Sequence, residues 1–254
     1  MGALGARSLA GIPEVRPGDD LAALILAAAG SDGIGPEDVV ALAHTVVSKA
    51  EGALARLADV RPGESARELA QAYGKDARVI QLVLDESSEI LRAERGILIS
   101  RTRQGLVCAN AGVDVSNAGA PDTAVLLPRD PDDSARRICA RLRKLGSAGA
   151  GAPAVLITDT FGRPWRLGQC DVAIGVAGLV PLEDWRGRSD AEGNELRATM
   201  IAIADAVAAA ADLARTKDSR EPVVVVSGLA RFVSDDDGPG ARALVRPLAE
   251  DLFR

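Results

Sequence analysis

The chain has 254 residues, with 30 Lys+Arg against 36 Asp+Glu and a formal net charge of −6. Its 47% hydrophobic and 26% charged residues are those of a globular chain with a sizeable core, which excludes a disordered one. The acidic balance and an aromatic content of 2% argue against nucleic acid as partner, since such binders carry basic surfaces or stack bases on aromatic rings.

In chain order, the N-terminal stretch MGALGARSLAGIP lacks the apolar core of a signal peptide. A short helix is predicted over 19–29. The apolar, β-branched run 39–47 reads as a buried strand that contains His44 and ends in SKAEG. Ser65 and Glu68, after Pro62 and Gly63, form a capping-box pattern for a helix closed by Gly74. A second helix is predicted over 77–91. Residues 97–102 and 106–109 read as a hairpin joined through Gln104 and Gly105. Asp132 or Asp133 opens a basic helix through Leu145, closed by Gly146. The stretch GSAGAGAP at 146–153 reads as a connector between two candidate lobes of one domain spanning 1–254. Strands follow at 154–157 and 172–176, a long helix at 195–215, a buried strand at 222–227, and a helical tail at 241–253 interrupted by Pro247. Strands and helices interleave without a regular βαβ rhythm, so the expected class is α+β, with mixed sheets and flanking helices. No run of about 18 apolar residues exists, so no membrane span is expected.

Several chemistries are excluded. There is no GxxxxGK[ST] loop and no GxGxxG turn after a strand, so a nucleotide must use another scaffold. His44 is the single histidine, which excludes a His-cluster metal site. Cys108, Cys139 and Cys170 show no CxxC spacing, which points to reduced thiols and a cytoplasmic setting.

Three segments carry candidate chemistry. In TDTFGRPWRLGQCD (158–171) an apolar strand delivers Asp159 between two threonine hydroxyls, a hard-oxygen group suited to Mg2+ or Mn2+. Arg163 and Arg166 follow, with forked donors for phosphate or carboxylate. The plainer reading is a surface turn with solvated arginines. In NAGVDVSN (110–117) Asp114 stands among Asn110, Ser116 and Asn117, which are also common turn formers. Two such acidic loops can share a metal pair in phosphoryl chemistry. In TVVSKAEG (45–52) Lys49 can neutralise phosphate while Thr45 and Ser48 donate to it; the alternative is a solvated lysine.

Together with GIPEVRPGDDL (11–21), LLPRDPDDSA (126–135), the continuation VAIGVAGL to residue 179 and PVVVVSGL (222–229), these segments resemble the F420-0:gamma-glutamyl ligases, also called coenzyme F420:L-glutamate ligases. The resemblance spans nearly the whole chain in order. It implies that family's ligase fold as an intertwined homodimer. It also implies a cytoplasmic enzyme that joins L-glutamate in γ-linkage to coenzyme F420-0 with GTP, through an acyl phosphate. Two Mg2+ or Mn2+ ions would be held by Asp114, Asp159 and Thr160, with K+ as a further candidate cation. Ile12, Pro13, Glu14, Val15, His44, Thr45, Lys49 and Asn117 would line the GTP site, and Arg163, Arg166 and Lys49 would supply catalytic positive charge. Relatives more often carry Ser at the position of His44, and many carry a glutamate metal ligand at the position of Thr216, which leaves Asp218, Glu221 or water for that place. Actinobacterial relatives often carry a fused nitroreductase-like domain; the chain stops at Arg254, so that domain is expected to be absent. The alternatives are a paralogous ligase for another acid or amine, a non-catalytic nucleotide- or deazaflavin-binding protein, and a metal-dependent phosphohydrolase.

Overall fold

The computed structural model describes residues 3–146 and 152–251. The elements run β1 (Gly5–Ser8), α1 (Leu21–Ala29), β2 (Val39–Ala43), α2 (His44–Ala50), β3 (Leu54–Arg56), α3 (Glu64–Tyr73), α4 (Ala77–Glu86), β4 (Ser87–Glu94), β5 (Ile97–Thr102), β6 (Val107–Ala109) and β7 (Thr123–Val125). They continue with α5 (Pro131–Leu145), β8 (Ala154–Arg163), β9 (Arg166–Ala177), β10 (Glu183–Asp184), β11 (Met200–Ile201), α6 (Ile203–Leu213) and β12 (Val223–Ser227).

The main sheet has the order β1-β12-β2-β8-β9, with β2 and β8 parallel and the other pairs antiparallel. Its central strands are apolar over 39–43, 154–157 and 223–226, where both faces are covered. Val40, Leu42, Val155, Ile157, Val223 and Val225 point to a core closed by α1, α2 and α5. The alternate residues Val39, Ala41, Ala154, Leu156, Val224 and Val226 pack on the small side chains of α6. A second sheet, β4-β5-β6, packs on α3 and α4 through Ala66, Ala70, Ile80, Val83 and Leu98. This mixture of separate sheets and helices is the expected α+β class.

Gly175 marks where β9 crosses the start of α5. A Cβ there would fall on the Pro131 carbonyl. Gly175→Ala is therefore expected to cost about 1–3 kcal/mol, the usual penalty for overpacking. The check is a lower urea midpoint at unchanged m-value.

Several boundaries differ from expectation. The run 39–47 is not one strand: it turns into α2 at His44, because an apolar stretch buried on all sides has no period that separates strand from helix. Gly63, not Ser65, caps α3, and no side-chain cap bond forms, whereas Gly74 closes the helix in the left-handed conformation as expected. The helix over 77–91 stops at Glu86. Ser87 Oγ donates to Val83 O at 2.6 Å, and the chain then pairs with β5, so long-range strand pairing overrides local helix preference. The helix over 195–215 shrinks to Ile203–Leu213, since residues 195–201 fold back on 183–189 through backbone bonds such as Leu196 N to Arg188 O at 2.8 Å. Asp130 caps α5, two or three residues ahead of the expected Asp132 or Asp133, and Gly146 ends it. The tail forms two short 3-10 turns, Ala241–Leu244 and Leu248–Glu250, instead of a helix. Residues 147–151 of the connector and 252–254 of the tail lie outside the described residues.

The segment 158–171 is corrected most. It is not a loop at a strand end but a long hairpin: β8 runs on to Arg163 and β9 begins at Arg166, with Pro164 and Trp165 at the tip. Threonine hydroxyls at alternate positions are compatible with a strand that leaves the core, and the glycine and proline signals mark only its tip.

Candidate active site

A cleft of about 970 Å³ opens where the carboxyl end of β2, the start of α2, the middle of the β8–β9 hairpin and the loop after α6 meet. The segments 12–15 and 109–119 form its other walls. It gathers Ile12, Pro13, Glu14, Val15, His44, Thr45, Lys49, Asp114, Asn117, Asp159 and Thr160. Ser48 is buried beneath it, 3.4 Å from His44 Nδ1.

Asp114 is presented by an unusual backbone. Asn110, Ala111 and Gly112 all have positive φ, of 52°, 52° and 69°, and Ala111 is buried. Non-glycine residues there cost about 1–2 kcal/mol each, a strain that recurs at functional sites. Burial opposes the charge on Asp114. Hydrogen bonds from Ser116 Oγ at 2.6 Å, Ser116 N at 2.7 Å and Asn117 Nδ2 at 2.9 Å outweigh it and hold the carboxyl below its ordinary range. The Asn117 amide is thereby committed to Asp114 and Ser116.

Asp159 behaves in the opposite way. Burial pushes its carboxyl up; His44, 3.5 Å away, and the Thr160 N–H pull it down, and the charges of Asp171 and Asp114 push it up again. The two aspartates expected to meet thus share one cleft and sense each other. Their environments drive their proton affinities apart. Cys108 in the same wall is pushed up to about 12, first by burial and then by the Asp159 charge, which makes it an inert thiol.

Lys49 is buried and donates to Glu14 Oε1 at 2.6 Å, while the Glu14 side chain is 63% exposed. The Asn117 loop comes close to both: a Cβ on Gly119 would lie 3.4 Å from Lys49 Nζ.

The hairpin carries Arg163 and Arg166 past the cleft rather than into it. Both are exposed, and Arg163 Nη2 donates to Leu167 O at 2.7 Å. Arg163 is four residues beyond Asp159, about 13 Å along an extended strand. Positive charge in this part of the cleft comes instead from Arg215 and Lys217, which the sequence reading did not single out. It also missed Asp171, whose side chain is 1% exposed. Asp171 accepts from Thr160 Oγ1 at 2.7 Å and Thr158 Oγ1 at 2.8 Å, and pairs with Arg215. The available signal was register: Thr160 pairs directly with Asp171 across the hairpin. Of the acidic residues near Thr216, Glu221 lines the cleft and accepts from Ser8 Oγ at 2.6 Å, whereas Asp218 is exposed and bound by Thr216.

Against known proteins, residues 11–228 match the family model described as F420-0:Gamma-glutamyl ligase. The chain belongs to this family. It is thereby an enzyme of the ligase class. The ligase is 46% identical to the coenzyme F420:L-glutamate ligase of Methanopyrus kandleri, over 95% of its own length and 94% of that relative. It is 43% identical to the protein of the same name from Methanothermobacter thermautotrophicus, over 96% of each chain, and 42% identical to that of Halobacterium salinarum, over 96% and 93%. Among the described residues of the ligase, no helix is long and apolar enough to cross a membrane.

The donor set suits a hard divalent cation. Mg2+ is commonly held by one or two carboxylates, with substrate phosphates and water completing its octahedron. Asp114 and Asp159 provide two carboxylates, and Asp159 is half-buried beside His44 and the Thr160 N–H. Among the described residues no group of three or more His, Cys, Asp or Glu side chains is placed to hold a metal ion. Thr160 Oγ1 is already engaged by Asp171 and Lys217.

Proposed function

We propose that this ligase joins L-glutamate in γ-linkage to coenzyme F420-0, with GTP as phosphoryl donor and Mg2+ or Mn2+ held by Asp114 and Asp159. The observation that carries this reading is the convergence, in one cleft, of two carboxylates from distant stretches of the chain beside a buried lysine. It is supported by the similarity to proteins named for the same acid and amine.

A carboxylate is a poor acyl donor. The γ-phosphoryl group of GTP passes to a carboxylate oxygen of F420-0, giving an acyl phosphate and GDP. The glutamate amine then attacks the acyl carbon; the C–N bond forms, the C–O bond to phosphate breaks, and phosphate and a proton leave. The cation, when bound, neutralises charge on the triphosphate.

The chain's residues prepare this chemistry by fixing charge before substrate arrives, which spares reorganisation at the moment of reaction. Lys49 is buried, and its partner Glu14 is an exposed carboxylate that phosphate oxygens can displace. Thr45 offers a hydroxyl on the same wall. The Asp171–Arg215 pair, with Thr160 bonded to Asp171 and Arg215 to Pro222 O, ties the hairpin beside Asp159 to the start of β12. Arg163 and Arg166, at the hairpin tip, fit contacts to an acidic part of a large substrate better than contacts to the transferred phosphoryl group.

The tip also exposes apolar surface. Leu167 is 96% and Trp165 81% accessible, which supports pairing with a second copy as a homodimer. The three free thiols, two of them buried, suit a reducing cytoplasm.

The test is phosphate release from GTP with F420-0 and L-glutamate supplied separately and together, with mass spectrometry of the product. The expected result is release that requires both, and a product heavier by one glutamate residue. Release without the amine identifies a phosphohydrolase. Nucleotide binding without release under any combination identifies a binding protein.

A further inference from the structure

Lys217 occupies the acidic half of the cleft. Its ammonium donates to Thr160 Oγ1 at 3.0 Å and to Asp212 Oδ1 at 3.3 Å, and lies 3.9 Å from Asp171 Oδ1. Two carboxylates and a hydroxyl around one point are oxygen donors of the type that hold a hard divalent ion. Here that point is filled by a cation of the chain itself. The Lys217 side chain is 73% exposed, so these oxygens, not apolar packing, hold the ammonium in place. The neighbouring charge is arranged around it. Asp171 gives its other oxygen to Arg215 and Thr158, and Asp212 projects from the last turn of α6 just ahead of the loop that carries Lys217.

We propose that Lys217 is a tethered cation that fills this subsite and leaves the cleft with one exchangeable divalent position, at Asp114 and Asp159. This rests on the ligase reading above and changes its metal requirement: the two ions implied by the family resemblance become one ion and one ammonium. A divalent ion could enter the second subsite only by displacing the ammonium from both carboxylates. A phosphate oxygen entering the cleft meets the same ammonium, so Lys217 supplies on the Thr160 side the neutralising charge that the ion supplies at Asp159.

The experiment counts Mn2+ bound to the full chain by equilibrium dialysis with elemental analysis, without nucleotide, and follows the free ion by electron paramagnetic resonance. The wild type is expected to bind one Mn2+ per chain, Lys217→Gln two, and Lys217→Arg one. Lys217 is exposed, and a thermal melt of Lys217→Gln is expected to match the wild type, so a changed count reports the subsite and not the fold. Two ions on the wild type, or a single ion on Lys217→Gln, overturns the proposal and leaves the Asp114–Asp159 position standing. No bound ion on the wild type, either alone or in a repeat of the count with GDP present, overturns the metal reading itself. Product formation, measured separately, decides the ligase reading.

Discussion

Asp159→Asn is expected to abolish glutamate-dependent release of GDP while leaving the protein folded. Even partners one step removed from a metal cost about 10–100-fold when lost, so a direct carboxylate donor is expected to cost at least about 100-fold in kcat/KM. The stability effect has the opposite sign. Burial raises the Asp159 carboxyl above its ordinary range. A carboxyl raised on folding favours the folded state where it is protonated, and this contribution is fully present below its unfolded value of 3.8 and lost as pH rises through the higher folded value. At neutral pH, without divalent ion, the carboxyl is a liability that the neutral amide removes. Asp159→Asn should therefore melt no lower than the wild type in chelator, and should lose the rise in Tm that Mn2+ gives the wild type. A variant that keeps turnover, or keeps that rise, would show that Asp159 holds no metal.

The second large effect is expected at Arg215, in stability rather than chemistry. Its guanidinium pairs with Asp171 inside the protein, with side-chain exposures of 9% and 1%. It also donates to Thr158 Oγ1 at 3.1 Å and to Pro222 O at 3.0 Å, tying the hairpin to the start of β12. Arg215→Ala leaves the Asp171 charge buried, with exposed Lys217 as its remaining cation at 3.9 Å. Breaking a buried pair in this way costs about 3–5 kcal/mol. For a chain of this size that lowers Tm by on the order of 10 °C. Adding Asp171→Asn to Arg215→Ala should recover part of the loss, because the orphaned charge is removed. A single variant that melts within about 2 °C of the wild type would mean that solvent reaches Asp171 and that the pair does not hold the hairpin.

Much of the cleft was legible in the chain before any coordinates. Asp114, Asp159, Thr160 and Lys49 stand in local patterns, each a short run of oxygen donors or a lysine next to an apolar segment, whereas the stretch 12–15 is implied only by the family resemblance; all of them line one cavity. The chemistry of such a run is carried by neighbours in sequence, as the Ser116 and Asn117 bonds to Asp114 illustrate. In the sequence Arg163 and Arg166 belong to the same chemistry, as forked donors that follow a glycine turn directly after Asp159. The turn is real, but extended backbone displaces them from Asp159. Asp171 and Arg215 escaped notice for the converse reason: their partnership joins residues 44 apart, and nothing local to either announces it.

Composition and patterning determined the class of this protein. A chain with long Val/Leu runs, few aromatics and capped amphipathic segments must bury those runs between layers, and its hard-oxygen motifs make anionic substrates and divalent ions the expectation. The tertiary structure alone decided which of those motifs meet. It set where the apolar run after Val39 changes from strand to helix, how far the β8–β9 hairpin reaches, and that a lysine from the loop after α6 comes to rest between Thr160, Asp171 and Asp212. These outcomes depend on strand register and on electrostatic balance in a buried space. Both are properties of residues distant in sequence, and neither is encoded in any single stretch of it.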